Sequence, residues 1–261
     1  MKFKMQKKSK GKSLSLAPNL AVALVVVIFV SLVVLLVNAF LHSSNYFKLR
    51  AVETKGFSDK STGSYIGSEI LKTNKGSNIF NIDLKAIAMQ LARRYPDAKD
   101  IRVKRVPPDK VLVWVNFRKP FAMVVSIANT KHYPVDDEGY VLQNVDPGIA
   151  AVLTPLYGID IRYDGAAFRK ANPRNLKAAL DMLKEVKRAK FMSQYRVTGV
   201  DASSISNLAF YIDDGLEIRI GFENYRERLD ILRTTLKDTR LVKDKIKYID
   251  LRFDGVTIGP K

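Results

Sequence analysis

One long apolar stretch dominates the hydropathy pattern of the chain. Residues 20–41 (LAVALVVVIFVSLVVLLVNAFL) contain no charge and only two polar side chains, Ser31 and Asn38. A helix of about 20 apolar residues crosses the roughly 30 Å hydrocarbon layer of a bilayer. The stretch exceeds the roughly 7–15 residues of a signal-peptide core, which argues against a cleaved leader. The pattern predicts a single transmembrane helix.

The next region, residues 46–119, mixes strand and helix patterns. Residues 47–56 predict a strand that ends at glycine, and residues 61–73 predict a short helix. Apolar residues at helical spacing in 84–91 predict a second helix, capped by Asp83.

Two alternating segments follow, residues 101–106 (IRVKRV) and 110–117 (KVLVWVNF), with a turn predicted at Pro107–Asp109. The resulting order is strand, helix, helix, strand, strand. This order predicts a small sheet covered on one face by two helices.

The remainder of the chain, residues 120–261, predicts a larger mixed β-sheet with helices on one face. Residues 121–143 predict two strands around an acidic turn, and residues 207–221 predict a hairpin with an Asp-Gly turn. Leucines at helical spacing predict one helix within 172–191, with Pro173 in its first turn, and another after the hairpin. The predicted fold class is α+β.

The chain ends in a strand pattern that we place at a sheet edge. Residues 248–253 (YIDLRF) alternate between polar and apolar positions, Asp254-Gly255 permits a bend, and residues 256–258 resume an extended pattern. The unpaired N–H and C=O groups of an edge strand template association with another chain. We therefore predict an open edge over residues 248–258. The alternative is an ordinary last strand whose charges keep the edge soluble.

Charge predicts the orientation of the transmembrane helix. Residues 1–19 carry six lysines and no acidic residue, and lysine-rich flanks stay in the cytoplasm. The bulk of the chain is then expected on the periplasmic or outer side of a bacterial cytoplasmic membrane. The formal net charge is +18. Since an exported domain does not meet nucleic acid, we expect this basic surface to favour anionic lipid or cell wall instead.

The sequence lacks the common catalytic and metal-binding patterns. Cysteine is missing, which excludes thiolate metal sites, and His42 and His132 are the only histidines. We therefore expect no enzyme activity, no metal and no cofactor.

One acidic cluster, Asp136, Asp137 and Glu138, remains as a candidate for chemistry. Asp and Gly supply the backbone bonding that a turn needs, so we interpret the cluster as a structural turn. The alternative is a wall-processing enzyme in which these carboxylates meet Asp213 or Asp214 around a glycan.

The order of elements and three motifs resemble a bacterial family. The motifs are GSNIFNIDL (76–84), RRYPDAKDIRVKRVPPDKVLVWV (93–115) and RKPFA (118–122). Together they are similar to a POTRA domain of the FtsQ/DivIB cell-division family. The resemblance implies four parts: a cytoplasmic basic tail (1–19), a transmembrane helix (20–41), a POTRA domain (46–119) and a C-terminal β-domain (120–261).

The same resemblance implies a function. Family members are non-enzymatic scaffolds of the divisome, found in the inner membrane at the division septum, that support septal peptidoglycan synthesis. They add an FtsB/FtsL-type partner to the terminal strand and contact other division proteins through the POTRA domain. The partner-binding residues carried over are Arg252, Phe253, Asp254 and Gly255, with Tyr248 and Val256 as flanking candidates.

Two positions depart from the family pattern. A Glu-Arg pair is common before the proline that ends the POTRA domain, but here the pair is Phe117-Arg118, so the role of the acidic residue is either absent or supplied elsewhere. The stretch DASSISN (201–207) lacks an arginine that some relatives use as a second contact. A membrane-anchored cell-wall binder and a peptidoglycan-processing enzyme stay as alternative functions.

Overall fold

The computed structural model of the chain describes residues 16–127, 131–161, 174–213, 215–237 and 245–261. The fold is mixed α+β, as predicted from the sequence. Two compact units divide the chain. The first contains the residues up to Ile87 together with Arg102–Trp114, and the second contains Ala88–Ile101 together with Val115–Lys261.

The N-terminal helix α1 spans Leu16–Ser43. Its segment Leu20–Ser43 is long and apolar enough to cross a membrane, and no other helix in the described part of the chain is. At 1.5 Å per residue these 24 residues extend about 36 Å, enough for a hydrocarbon layer of roughly 30 Å. This helix fits a single-pass membrane protein.

A three-stranded sheet with two helices follows α1, in the order predicted. Its elements are β1 (Ala51–Lys55), α2 (Lys60–Thr73), α3 (Leu84–Arg94), β2 (Ala98–Val106) and β3 (Lys110–Phe117). The strand order is β1-β3-β2, and β1 runs parallel to β3. Asp83 accepts hydrogen bonds from the Lys85 and Ala86 amides at 2.9 and 3.0 Å, which confirms it as the cap of α3.

An eight-stranded sheet makes up most of the second unit. Its elements are β4 (Ala122–Ser126), β5 (His132–Val135), α4 (Pro147–Ala151), β6 (Thr154–Ile159), α5 (Arg174–Arg188), β7 (Val197–Asp201), β8 (Ala209–Ile212), β9 (Leu216–Arg219), α6 (Tyr225–Lys237), β10 (Ile246–Asp250) and β11 (Thr257–Pro260). The strand order is β11-β10-β9-β8-β7-β6-β4-β5.

Some of these elements differ from the prediction. Strands β6 and β7 show no clear alternation of polar and apolar residues and were not predicted. The five-residue helix α4 was not predicted either. The acidic turn follows β5 instead of joining two main strands, and it leads to a single bridge between Val135 and Val141. The hairpin of β8 and β9 is confirmed; its predicted turn residue Asp214 lies outside the described residues, as does Pro173 before α5.

A buried row of side chains crosses the sheet and forms the core of the second unit. Paired positions place Val200, Phe210, Ile218 and Ile249 side by side on β7 to β10, and all four are fully buried. The leucines of α5 and α6 belong to the same core. The next position of the row, on β11, is Ile258. It is 38 % exposed, so the row ends uncovered at the edge of the sheet.

Candidate partner-binding edge

The prediction that residues 248–258 form the sheet edge is wrong for its first half. Tyr248, Ile249 and Asp250 lie in β10, which pairs with β9 on one side and with β11 on the other. The alternation of these residues indicated a strand, but alternation carries no information about how many neighbours a strand has. The edge strand is β11, the extended segment predicted after the Asp254-Gly255 bend.

The two ends of the sheet differ in how they are covered. At the β5 end, Val141 bridges to Val135 and the Leu142 amide donates to the Pro134 carbonyl at 2.8 Å, so the chain folds back over this strand. At the other end, no strand of the described residues pairs with the outer side of β11. The open end of the sheet is therefore the C-terminal one.

The backbone of β11 places few donors on its open side. The Lys261 amide donates inward to the Lys245 carbonyl at 3.0 Å. Since N–H groups alternate between the two sides of an antiparallel strand, the amide of Ile258 faces outward. The other outward position is Pro260, which has no N–H and is tolerated there because it breaks no ladder bond. Ile258 thus supplies both an open amide and an exposed apolar side chain.

Four of the six predicted contact residues lie on the exposed turn between β10 and β11. Phe253 is 70 % exposed and Val256 is 39 % exposed, and Asp254 and Gly255 between them are also exposed. Together with Ile258 they form an exposed strip beside the open edge. We call these five residues the edge strip.

Arg252 is not free for a partner, because its own neighbours hold it. Its guanidinium binds the buried Asp250 carboxylate through two nitrogens at 2.6 and 2.9 Å and also donates to Asn207. Burial raises the pKa of Asp250, but the hydrogen bonds and the charge of Arg252 together lower it by more than burial raises it. The pKa of Asp250 therefore lies below its ordinary value. Arg252 therefore fixes the start of the turn. Asn207 belongs to the DASSISN stretch, in which no arginine marks a contact.

Tyr248 also has a positioning role. Its ring stacks on Arg219, whose guanidinium carbon lies 3.8 Å from the ring centroid, and Arg219 is held by Glu217 at 2.8 Å. On the β11 side the ring fills the space above Gly259, where an added Cβ would lie 2.1 Å from a ring carbon. Glycine at this position therefore lets the edge strand approach β10.

The acidic cluster is a turn, and it supplies the missing partner of Arg118. Asp136 is buried, accepts the amides of Glu138 and Tyr140 at 2.9 and 2.8 Å, and binds Arg118 at 2.6 Å. Glu138 binds Arg118 at 3.0 Å and Lys99 at 2.7 Å. The carboxylates of Asp136 and Glu138 are thus engaged in structural contacts, which agrees with the interpretation of the cluster as a turn.

The pKa of Glu138 predicts how this cluster responds to acid. Hydrogen bonds from Lys99 and Arg118 lower the pKa of Glu138 to about 2. A carboxyl whose pKa falls on folding stabilises the fold above its unfolded pKa and loses that contribution as the pH drops through the folded value. We expect the difference in melting temperature between the natural chain and Glu138→Gln to shrink between about pH 4.3 and pH 2. Thermal unfolding followed by circular dichroism across this range tests it; a difference that grows toward acid pH contradicts it.

Nothing in the described part of the chain assembles a metal site. No group of three or more His, Asp or Glu side chains comes together there. Asp213, a candidate for the alternative enzyme, accepts the Arg196 amide at 2.9 Å and has a positive φ of 47°, which marks it as a turn residue. Asp214 lies outside the described residues.

The arrangement is that of a POTRA-containing protein with one apolar N-terminal helix and a C-terminal β-sheet. Two family descriptions match the chain: "POTRA domain, FtsQ-type" over residues 47–116, and "Cell division protein FtsQ/DivIB, C-terminal" over residues 124–252. The chain belongs to the FtsQ/DivIB family of cell-division proteins. Strand β11 lies beyond the matched residues.

Curated relatives support the same assignment. The chain is similar to cell division protein FtsQ of Neisseria meningitidis, with 26 % identity over 227 residues that cover 83 % of this chain and 84 % of the relative. It is also similar to cell division protein FtsQ of Neisseria gonorrhoeae, with 25 % identity over 83 % of this chain and 81 % of the relative.

Proposed function

We propose that this cell-division protein is a non-enzymatic scaffold of the divisome that recruits FtsB/FtsL-type partners through β11 and so supports septal peptidoglycan synthesis. The observation that carries the proposal is the open end of the eight-stranded sheet, where the buried core row ends at the half-exposed Ile258. A partner strand added to β11 would cover Ile258 and pair with its outward amide. This is β-augmentation, in which main-chain bonds give affinity and side-chain contacts give selection.

The residues predicted from the sequence divide into two roles in this proposal. Phe253, Asp254, Gly255 and Val256 contact the partner directly, because they are exposed beside β11. Tyr248 and Arg252 act indirectly by holding β10, the turn and β11 in place.

The location follows the same family likeness. We propose that α1 anchors the protein in the bacterial inner membrane at the division septum, with the lysine-rich residues 1–19 in the cytoplasm and the chain that follows α1 in the periplasm. The proposed domain boundaries are 46–119 for the POTRA domain, which contacts other divisome components, and 120–261 for the β-domain. The engaged carboxylates of the acidic turn support a role without chemistry.

Co-purification with the FtsB/FtsL-type pair of the same bacterium tests the proposal. Phe253→Lys places a charge on the edge strip and is expected to reduce partner recovery strongly. A charged side chain that is buried in the contact loses its hydration, which costs free energy. Val152→Lys is the matched control, because Val152 is 81 % exposed and follows α4, outside the edge strip. Undiminished recovery with Phe253→Lys would defeat the docking proposal.

A further inference from the structure

The end of helix α1 is capped by side chains from a distant loop. The last carbonyls of a helix have no partners within it, and in the poorly hydrated zone of a membrane surface such groups need other donors. The Asn78 amide donates to the carbonyls of Leu41 and Ser44 at 2.8 and 3.1 Å, and the Asn81 amide donates to the carbonyl of His42 at 3.3 Å. All of these residues lie in the first unit.

The capping loop, residues 77–82, is itself held firmly. Two backbone hydrogen bonds join it to the segment after α1. The Leu49 N–H donates to the Ser77 carbonyl at 2.9 Å, and the Ile79 N–H donates to the Phe47 carbonyl at 2.8 Å. From the other side, Arg105 on β2 donates to the carbonyls of Ile79 and Ile82 at 2.7 and 2.8 Å. The helix end is thus joined to the sheet through this loop.

Aromatic rings surround the same junction. Phe47 contacts Phe40 on α1 and Phe80 on the capping loop, with ring centroids 5.9 and 5.2 Å apart, and Tyr46 packs edge-on against Phe47 at 5.3 Å. Tyr46 is 62 % exposed. Aromatic side chains are enriched at the headgroup level of membranes, which is where the end of a membrane-spanning α1 lies.

Two chain segments at this junction are basic. Residues 41–52 and 70–82 together carry four lysines and arginines and no acidic residue. Lys48 lies opposite Asn78 in a backbone bridge, and Lys75 is three residues before it; both lysines are exposed. The long aliphatic part of a lysine side chain lets its ammonium group reach a lipid phosphate that lies a few ångströms from the backbone.

We propose that Asn78 and Asn81 fix the capping loop at the end of the membrane helix so that Lys48 and Lys75 bind the phosphates of anionic lipid headgroups. The proposal rests on α1 spanning the membrane, as in the proposed function. The occupant is lipid and not cell wall, because continuity with α1 places these lysines at the bilayer surface and their charge complements anionic headgroups.

Spin labelling of the full chain in nanodiscs tests this proposal. The chain contains no cysteine, so Lys72→Cys on the exposed last turn of α2 gives a unique label next to the capping loop. Nanodiscs of phosphatidylcholine, with or without phosphatidylglycerol, carry a small share of Ni²⁺-chelating lipid. Relaxation enhancement of the label reports how near the loop lies to the headgroups.

We expect strong enhancement that increases with phosphatidylglycerol. Asn78→Ala/Asn81→Ala is expected to lose most of it, whereas Asn116→Ala, which removes an exposed asparagine from β3, keeps it. Lys48→Gln/Lys75→Gln leaves every cap bond in place and is expected to lose only the increase with phosphatidylglycerol. This second variant keeps the test decisive even if the asparagine pair is needed for folding.

Two results overturn the proposal. One is enhancement that does not change with phosphatidylglycerol in the labelled Lys72→Cys chain; the other is enhancement that a folded, labelled asparagine variant retains in full. Failure of α1 to enter the nanodisc is a separate observation, seen as protein missing from the purified discs, and it contradicts the membrane anchoring itself. A chain that integrates without headgroup contact contradicts only the lipid proposal.

Discussion

Replacing Ile258 with proline is expected to weaken binding of an FtsB/FtsL-type partner about 10- to 100-fold. The ring removes the outward amide of β11, so a carbonyl of the partner strand loses its donor, at a cost of about 1–3 kcal/mol. Each 1.4 kcal/mol corresponds to a tenfold change in the dissociation constant. Proline is tolerated at outward edge positions, so the ladder between β10 and β11 is expected to remain. Titration of the full chain in detergent against the purified partner measures the effect.

Ile258→Ala is the matched control for this prediction. It removes the apolar side chain as proline does but keeps the amide, so the difference between the two variants isolates the main-chain hydrogen bond. We expect the alanine variant to bind more tightly than the proline variant. Equal affinities would show that the partner uses side-chain contacts only, and β-augmentation at β11 would have to be abandoned.

Neutralising Asp136 is expected to destabilise the protein by about 3 kcal/mol, because it leaves the buried Arg118 without its closest counter-charge. The side chains of both residues are less than a tenth exposed, so water does not replace the lost contact. Arg118 also lies with its guanidinium carbon 3.5 Å from the ring centroid of Tyr140, and it cannot leave without disturbing the turn. Chemical denaturation of Asp136→Asn and of the natural chain measures the difference.

Glu138→Gln is the internal control, two residues along the same turn. Glu138 also binds Arg118, but its side chain is 39 % exposed, so solvent screens the pair and the expected cost is below about 1 kcal/mol. A catalytic Asp136 would give a different pattern: Asp136→Asn would leave stability unchanged and abolish release of fragments from peptidoglycan. That outcome would revive the wall-processing enzyme.

Local patterns predicted most individual elements. The helices α3, α5 and α6 were predicted because their apolar residues recur at helical spacing, as at Leu176, Leu180 and Leu183 in α5. The hairpin of β8 and β9 was predicted because alternation and an Asp-Gly turn occur together. Strands β6 and β7 were missed because Pro155 and Gly158 in β6 and Gly199 in β7 interrupt the apolar alternation that marks a strand.

The candidate site was predicted less completely, because its geometry depends on distant residues. Phe253 to Val256 were predicted from the resemblance of the chain end to the family, and the structure places them beside the open edge. Ile258, Gly259 and Asn207 were not singled out. Their importance comes from the register of β11 on β10 and from a contact with Arg252, and neither has a signature in the local sequence.

The sequence by itself determined the apolar helix, the order of the POTRA elements and the basic charge, since each depends on composition or on the spacing of neighbouring residues, and its motifs carried the resemblance to the family. Only the tertiary structure decided which strand is the edge, what pairs with Arg118 and what caps α1. These depend on contacts between residues far apart in the chain, such as Arg118 with Asp136 or Asn78 with Leu41. The physical reason is that hydrogen bonds and ion pairs act over a few ångströms, so their partners are set by the fold.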